Sequence, residues 1–197
     1  MFRSAAVFVT IVLLASVATA AIEPGDGLLI VNAGYAAGKL SGGAGTGEGG
    51  IIALTFEKLD WGQPASMFFN LSYSEISSEI KRVDGRADSL TVNINTLPMF
   101  IGGKGYLGEG SLQGYVGLSF GVYFTSSETA LTDTGGNYAK RHSMGLGMGV
   151  PIGLSLSIGK TLFINANYTL NWLWGNDALS SNAIHTANLG IGFKTGK

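Results

Sequence analysis

From Met144 to Ile158 every second residue is large and apolar: Met144, Leu146, Met148, Val150, Ile152, Leu154, Leu156 and Ile158. Between them stand Gly145, Gly147, Gly149, Pro151, Gly153, Ser155 and Ser157, with no charge in the run. A period of two means a β-strand with unlike faces. One face is greasy and the other merely small, which suits a strand standing in lipid better than one bathed in water.

The same rhythm predicts eight strands. They run over about Leu28–Ala37, Gly50–Leu59, Ser66–Ser74, Ser89–Ile101, Leu112–Thr125, Met144–Ile158, Leu162–Trp174 and Ile184–Phe193. In the fifth, Val116, Leu118, Phe120, Val122 and Phe124 oppose Tyr115, Gly117, Ser119, Gly121 and Tyr123. In the fourth, Leu90, Val92 and Ile94 oppose Thr91, Asn93 and Asn95, and alternation weakens around Thr96–Pro98. A proline cannot donate to a ladder, so a bulge or register change is expected there.

The residues between the apolar ones are mostly Asn, Ser, Thr and Gly. A soluble eight-stranded barrel turns its apolar face inward and covers the outside with Lys and Glu. This second face is too weakly polar for a water-facing exterior and suits a narrow lumen, where amides and hydroxyls bond one another and trapped water. Asn70, Asn93, Asn95, Asn165, Asn167 and Asn171 are therefore the candidate lumen-lining residues. Charges fall outside the strand interiors or near strand ends, and the stretch Glu75–Asp88 alone holds seven. The fold class expected is all-β: an eight-stranded antiparallel up-and-down transmembrane barrel. An even number of strands of about ten residues agrees.

The N-terminus agrees too. Arg3 precedes an apolar stretch, Ala5 to Val17, and Ala18-Thr19-Ala20 presents small residues where a signal peptidase cuts, before Ala21. The alternative is a single spanning helix over Ala5–Ile22. The expected organisation is a signal peptide over 1–20 and one barrel domain over 21–197. Removing 1–20 takes away Arg3 and leaves 11 Lys+Arg against 13 Asp+Glu, a formal net charge of −2. That balance gives no support for nucleic-acid binding. With no cysteine, disulfides and cysteine-ligated metals are excluded. Charged residues make up 13% of the chain, about half the soluble norm of roughly 25%. After the leader no apolar run reaches the roughly 18 residues a spanning helix needs.

Connections alternate in length. Gly38–Gly49, Glu75–Asp88, Ser126–His142 and Gly175–Ala183 are long; Asp60–Ala65, Gly102–Ser111 and Gly159–Thr161 are generally shorter. Outer-membrane barrels carry long external loops and short periplasmic turns, which would place both chain ends in the periplasm. Aromatics mark two expected interface belts: Phe124, Trp172 and Trp174 at the outer rim, and Trp61, Tyr106 and Phe193 at the periplasmic rim.

The segment Leu97-Pro98-Met99-Phe100-Ile101, Gly103-Lys104-Gly105-Tyr106-Leu107 and Leu112-Gln113-Gly114-Tyr115-Val116-Gly117-Leu118-Ser119-Phe120-Gly121-Val122-Tyr123-Phe124 resembles small outer-membrane β-barrel proteins of the OmpA/OmpX/OmpW-like type. Leu189-Gly190-Ile191-Gly192-Phe193 resembles the aromatic-ended signal read by the outer-membrane barrel assembly machinery, with Lys194–Lys197 as a departure. The resemblance implies a bacterial outer-membrane location and a structural, envelope or surface-interaction role, without a cofactor. It implies outer-membrane lipids and lipopolysaccharide as surroundings, and a closed barrel requires no oligomer.

Competing chemistries are weaker. His142-Ser143 and His185 raise the possibility of a lipid A-modifying enzyme, but no positioned third group is evident. The acids of Glu75–Asp88 are interleaved with Lys81, Arg82 and Arg86, which compete with any metal; with Lys140 and Arg141 these cations could contact lipopolysaccharide phosphates. The glycines of Gly38–Gly50 lack the Lys-Ser/Thr and helix of a phosphate loop. Eight strands enclose an interior that side chains nearly fill, so a wide pore is not expected and a narrow passage for small or apolar solutes remains the main alternative. An adhesin working through Glu75–Asp88 and Ser126–His142 is a further one.

Overall fold

The computed structural model describes residues 22–23, 25–40, 45–59, 65–81, 89–108, 110–131, 139–175 and 179–195. The expected signal peptide and Trp61 lie outside the described residues. Eight strands follow in order: β1 Gly27–Leu40, β2 Thr46–Lys58, β3 Ala65–Lys81, β4 Ser89–Leu107, β5 Leu112–Leu131, β6 Ala139–Ile158, β7 Leu162–Trp174 and β8 Leu179–Lys194. Each pairs antiparallel with its sequence neighbour, and β1 pairs with β8, closing an up-and-down barrel.

The stagger follows from the register. Partners traced round the barrel run Trp174, Leu146, Val122, Met99, Leu71, Leu54, Val31, Ile191 and Ile164. The path returns to β7 ten residues below its start. For eight strands this stagger gives a tilt of about 40° and a circuit that descends roughly 25 Å along the axis. Every residue on that path points outward, and the exposed apolar residues Val31, Ile52, Phe56, Phe69, Ile101, Phe120, Ile152, Leu189 and Ile191 share the outer surface with it. The band matches the apolar height expected of an outer-membrane barrel.

One rim, here the lower, carries the β2–β3, β4–β5 and β6–β7 turns together with Ile22 and Thr195. At the upper rim β3, β4, β5 and β6 run well beyond their neighbours. Above the Leu146↔Trp174 pair, β6 continues through Ala139–Gly145 with no β7 partner among the described residues. Much of the expected Glu75–Asp88 and Ser126–His142 connections is therefore strand. Gly102–Leu107 likewise belongs to β4, leaving a tight turn with positive-φ Gly108 and Gly110.

No register change occurs at Pro98. Leu71↔Met99 and Ser74↔Thr96 hold the same register on either side, and pairing to β3 merely lapses between them. The physical reason for the weakened alternation lies elsewhere: the apolar set changes faces. Below Thr96 the outward residues are Leu97, Met99 and Ile101. Above it, Ile94 is buried inside while Asn93 and Asn95 stand on the outer face. Beyond the lipid band water is outside, so apolar side chains turn in.

Candidate functional site: the lumen and the upper face

The lumen has three layers. The lowest is built around Glu57 on β2. Its Oε2 meets Lys104 Nζ at 2.6 Å, with side-chain exposures of 0% for the acid and 5% for the lysine. Its Oε1 accepts from Tyr106 OH at 2.6 Å and from Ser66 Oγ. Lys104 Nζ also lies 4.8 Å from the Phe68 ring centre and 4.7 Å from that of Tyr115. The carboxylate is thus held by three donors and the ammonium by one acid and two ring faces, as buried charges require. Beside it Tyr115 OH donates to Asn165 Oδ1 at 2.9 Å, Ser155 Oγ to the same oxygen at 3.2 Å, and Asn165 Nδ2 to Asn32 Oδ1 at 3.1 Å. These bonds tie β1 through β7 together across the bore. Ile22, Leu28, Ile30, Leu59 and Phe163 pack with Tyr106 and Tyr115 beneath.

Above this floor is a polar chamber of about 50 Å³, lined in part by Asn70, Thr55, Asn167, Asn171, Thr186 and Asn188. It has room for a few waters. Asn70 donates to Thr55 at 2.8 Å and Asn188 to Asn167 at 2.9 Å.

The third layer is apolar. Leu40, Ile51, Ile76, Ile94, Phe100, Leu173, Leu179 and Ile184 pack across the upper bore with Tyr123. At its foot the Ser74 and Thr96 hydroxyls bond at 2.5 Å, and Tyr123 OH donates to the Trp174 carbonyl at 2.7 Å.

Of the candidate lumen residues, Asn70, Asn165, Asn167 and Asn171 face the interior. Asn93 and Asn95 do not: they are on the outer surface above the lipid band, where Tyr73 OH donates to Asn95 Oδ1 at 3.1 Å. Of the interface aromatics, Phe124, Trp174 and Phe193 are exposed on the outer wall, and Trp172 shares the Trp174 face. Tyr106 is not an interface residue; it is 3% exposed and points into the lumen at Glu57. Three outward tyrosines also stand toward the upper end of the wall. Tyr73 reaches Asn95, Tyr168 OH bonds His185 Nδ1 at 2.5 Å, and Tyr35 bonds Glu48. An apolar ring in lipid with its hydroxyl tied to a polar group above is the expected arrangement. Sequence reasoning missed Glu57, Lys104 and the apolar upper layer. Glu57 carried a signal, since it continues the inward period of Ala53 and Thr55.

The histidines assemble no triad among the described residues. The register partner of His142 is Ser126, whose Oγ is shielded from solvent and makes no hydrogen bond. His185 is engaged with Tyr168. No cluster of three metal-ligating side chains occurs among the described residues. Lys140 pairs with Glu128 at 2.5 Å.

A closed, lipid-banded, eight-stranded barrel is the fold of small outer-membrane β-barrels of the OmpA/OmpX/OmpW-like type, and this chain has it. Neisserial surface protein A superposes with a TM-score of 0.52 at 14% identity, covering 86% of this chain and 97% of that one. The attachment invasion locus protein Ail of Yersinia pestis gives 0.56 at 12%, covering 88% and 100%. A major outer membrane protein of Thermus thermophilus gives 0.55 at 14%, also covering 88% and 100%. No protein-family model matches the chain, and neither does any curated protein.

Proposed function

We propose that this protein is a non-enzymatic barrel of the bacterial outer membrane, exported by a cleaved leader over 1–20. Its lower rim faces the periplasm, and its role is structural or one of surface interaction. The observation that carries this reading is the pairing of a lumen filled at both ends with a sheet that rises past the lipid band. A charged and amidic outer face, with Glu75, Asn95, Glu128, Lys140 and His142, adorns that sheet. A filled bore argues against a passage; a raised polar sheet is what a surface contact needs. The likeness to Ail, whose name records attachment and which also has a structure with the heparin analogue sucrose octasulfate at a TM-score of 0.54, supports a contact role. Arg141 and the cations Lys81, Arg82 and Arg86 are the groups for lipopolysaccharide phosphates or other anions.

The test trims the sheet. Residues 78–92 and 127–141 are each replaced by a short turn, and cells bearing the full, trimmed or no protein are compared for attachment and detergent resistance. A trimmed barrel that still migrates faster unboiled, loses attachment and keeps detergent resistance supports a surface role; loss of resistance only in cells without the protein supports an envelope role. Three indistinguishable strains overturn both.

A further inference from the structure

The lower mouth is closed by residues that precede the barrel. Ile22 is 4% exposed, inside the cluster that contains Tyr106, Tyr115 and Phe163. One side chain holds its backbone: the Ile22 N–H donates to Gln113 Oε1 at 3.1 Å, and Gln113 Nε2 donates to the Ile22 carbonyl at 3.4 Å. A turn connects it to β1. The Glu23 N–H donates to Asp26 Oδ2 at 2.9 Å, and the Asp26 N–H to the Glu23 carbonyl at 3.1 Å. The turn is fastened to the end of β2, with Gly25 N–H donating to the Leu59 carbonyl at 2.5 Å and Leu59 N–H to the Asp26 carbonyl at 3.0 Å. Gly25 has φ +93°, which only glycine adopts without strain. The Glu23 and Asp26 carboxylates are close enough to the Lys194 ammonium to act on it.

Two features separate this segment from the wall. All eight seams of the barrel close without Ile22, so the ladder does not depend on it. Among the described residues its seat is made of side chains, Gln113 and the apolar cluster around Ile22, whereas its hinge is bonded to backbone at the end of β2. The seat is therefore the end that a side-chain change can release. Cutting before Ala21 would leave Ile22 as the second residue of the exported chain, a free end rather than an internal loop.

We infer that Ile22 is a hinged stopper. Seated on Gln113, it keeps water from the Glu57–Lys104 layer; turning about Gly25, it leaves the mouth open while the barrel stays closed. The free end rests on the leader cleavage proposed above; nothing in it rests on the surface role.

The natural chain has no cysteine, so a single introduced thiol reports access cleanly. Ser155 is 1% exposed and is the register partner of Gln113 on the inner wall. The Ser155→Cys protein, folded in detergent, is treated with a membrane-impermeant maleimide, and Lys160→Cys in the exposed β6–β7 turn gives the unhindered rate. Labelling at Ser155→Cys is expected to be far slower than at Lys160→Cys. Adding Ile22→Gly or Gln113→Ala should speed it on the order of tenfold, as an easier local opening would, with the fast unboiled gel band retained. Labelling that both changes leave unaltered overturns the inference, as does a parent thiol that reacts as fast as Lys160→Cys. Ser157→Cys, fully buried in the same layer, replaces Ser155→Cys if that variant does not fold and is read the same way.

Discussion

Phe163 lies flat against Gly192 across the β7–β8 seam. The two are register partners, and a Cβ at Gly192 would stand 2.0 Å from the Phe163 Cζ and 2.4 Å from both Cε atoms. The same relation recurs where a Cβ at Gly153 would stand 2.4 Å from Tyr115 OH. The small residues that alternate with apolar ones are thus the spaces into which inward aromatic rings fit. Gly192→Ala should cost about 1–3 kcal/mol by overpacking. Phe163→Leu made with it should recover part of that loss, where two independent defects would add. Urea midpoints of the folded gel band for the two single variants and the double decide it.

Glu57 and Lys104 form the second testable pair. Removing one partner leaves a charge in the bore without its counterpart, whereas removing both leaves none. Lys104→Met should destabilise by about 3–5 kcal/mol, and Glu57→Gln combined with Lys104→Met should lie closer to the natural protein. Equal losses in single and double variants would mean that the ion pair is not what holds the floor together.

The wall of this barrel was legible because lipid imposes one rule on every strand: apolar out. That rule places Val116 through Phe124 and Met144 through Ile158 correctly, and β7 begins and ends where its alternation does, at Leu162 and Trp174. Above the lipid the rule inverts, and there the pattern misleads. Ile94 sits inside and Asn93 and Asn95 outside because the outer medium changed, not because the strand slipped. A period of two shows that a strand has two faces; only the solvent says which one is out. Glu75 through Lys81 read as loop for the same reason, since charge there marks the end of the membrane rather than the end of the strand. The floor was hidden differently. Lys104 lies in what the pattern reads as a connection, and its pairing with Glu57 joins residues 47 positions apart, which a pattern along the chain cannot reveal.

The filled bore predicts silence in planar bilayers, and it predicts how that silence is broken. The apolar upper layer resists wetting, and the floor is blocked by Ile22 and Tyr106. Barriers in series are set by whichever remains. Ile76→Ser with Ile94→Ser should therefore stay non-conducting, as should Ile22→Gly with Tyr106→Ala. The four changes together should give small steps. Steps from the natural protein, or from the upper pair alone, would show that the two layers do not both seal.

Two seams should open before the others. Pairing lapses between β3 and β4 beside Pro98, and between β5 and β6 beside Pro151, where Val116↔Ile152 and Ser119↔Gly149 flank the gap. Each proline lacks the N–H its position would donate, so the facing strand keeps a carbonyl without that partner. Register is unchanged on both sides, so the fault is one of missing bonds rather than geometry. Amide hydrogen exchange in lipid nanodiscs should then be faster at Ser72 and Gly117, which face the prolines, than at Asn70, Phe100, Tyr115 and Gly153, which pair across the same two seams. Pro98→Ala supplies a donor and should slow exchange at the β3–β4 seam while leaving the β5–β6 seam as it was. Uniform protection across both seams would mean that lipid packing alone, and not the ladder, sets local opening in this wall.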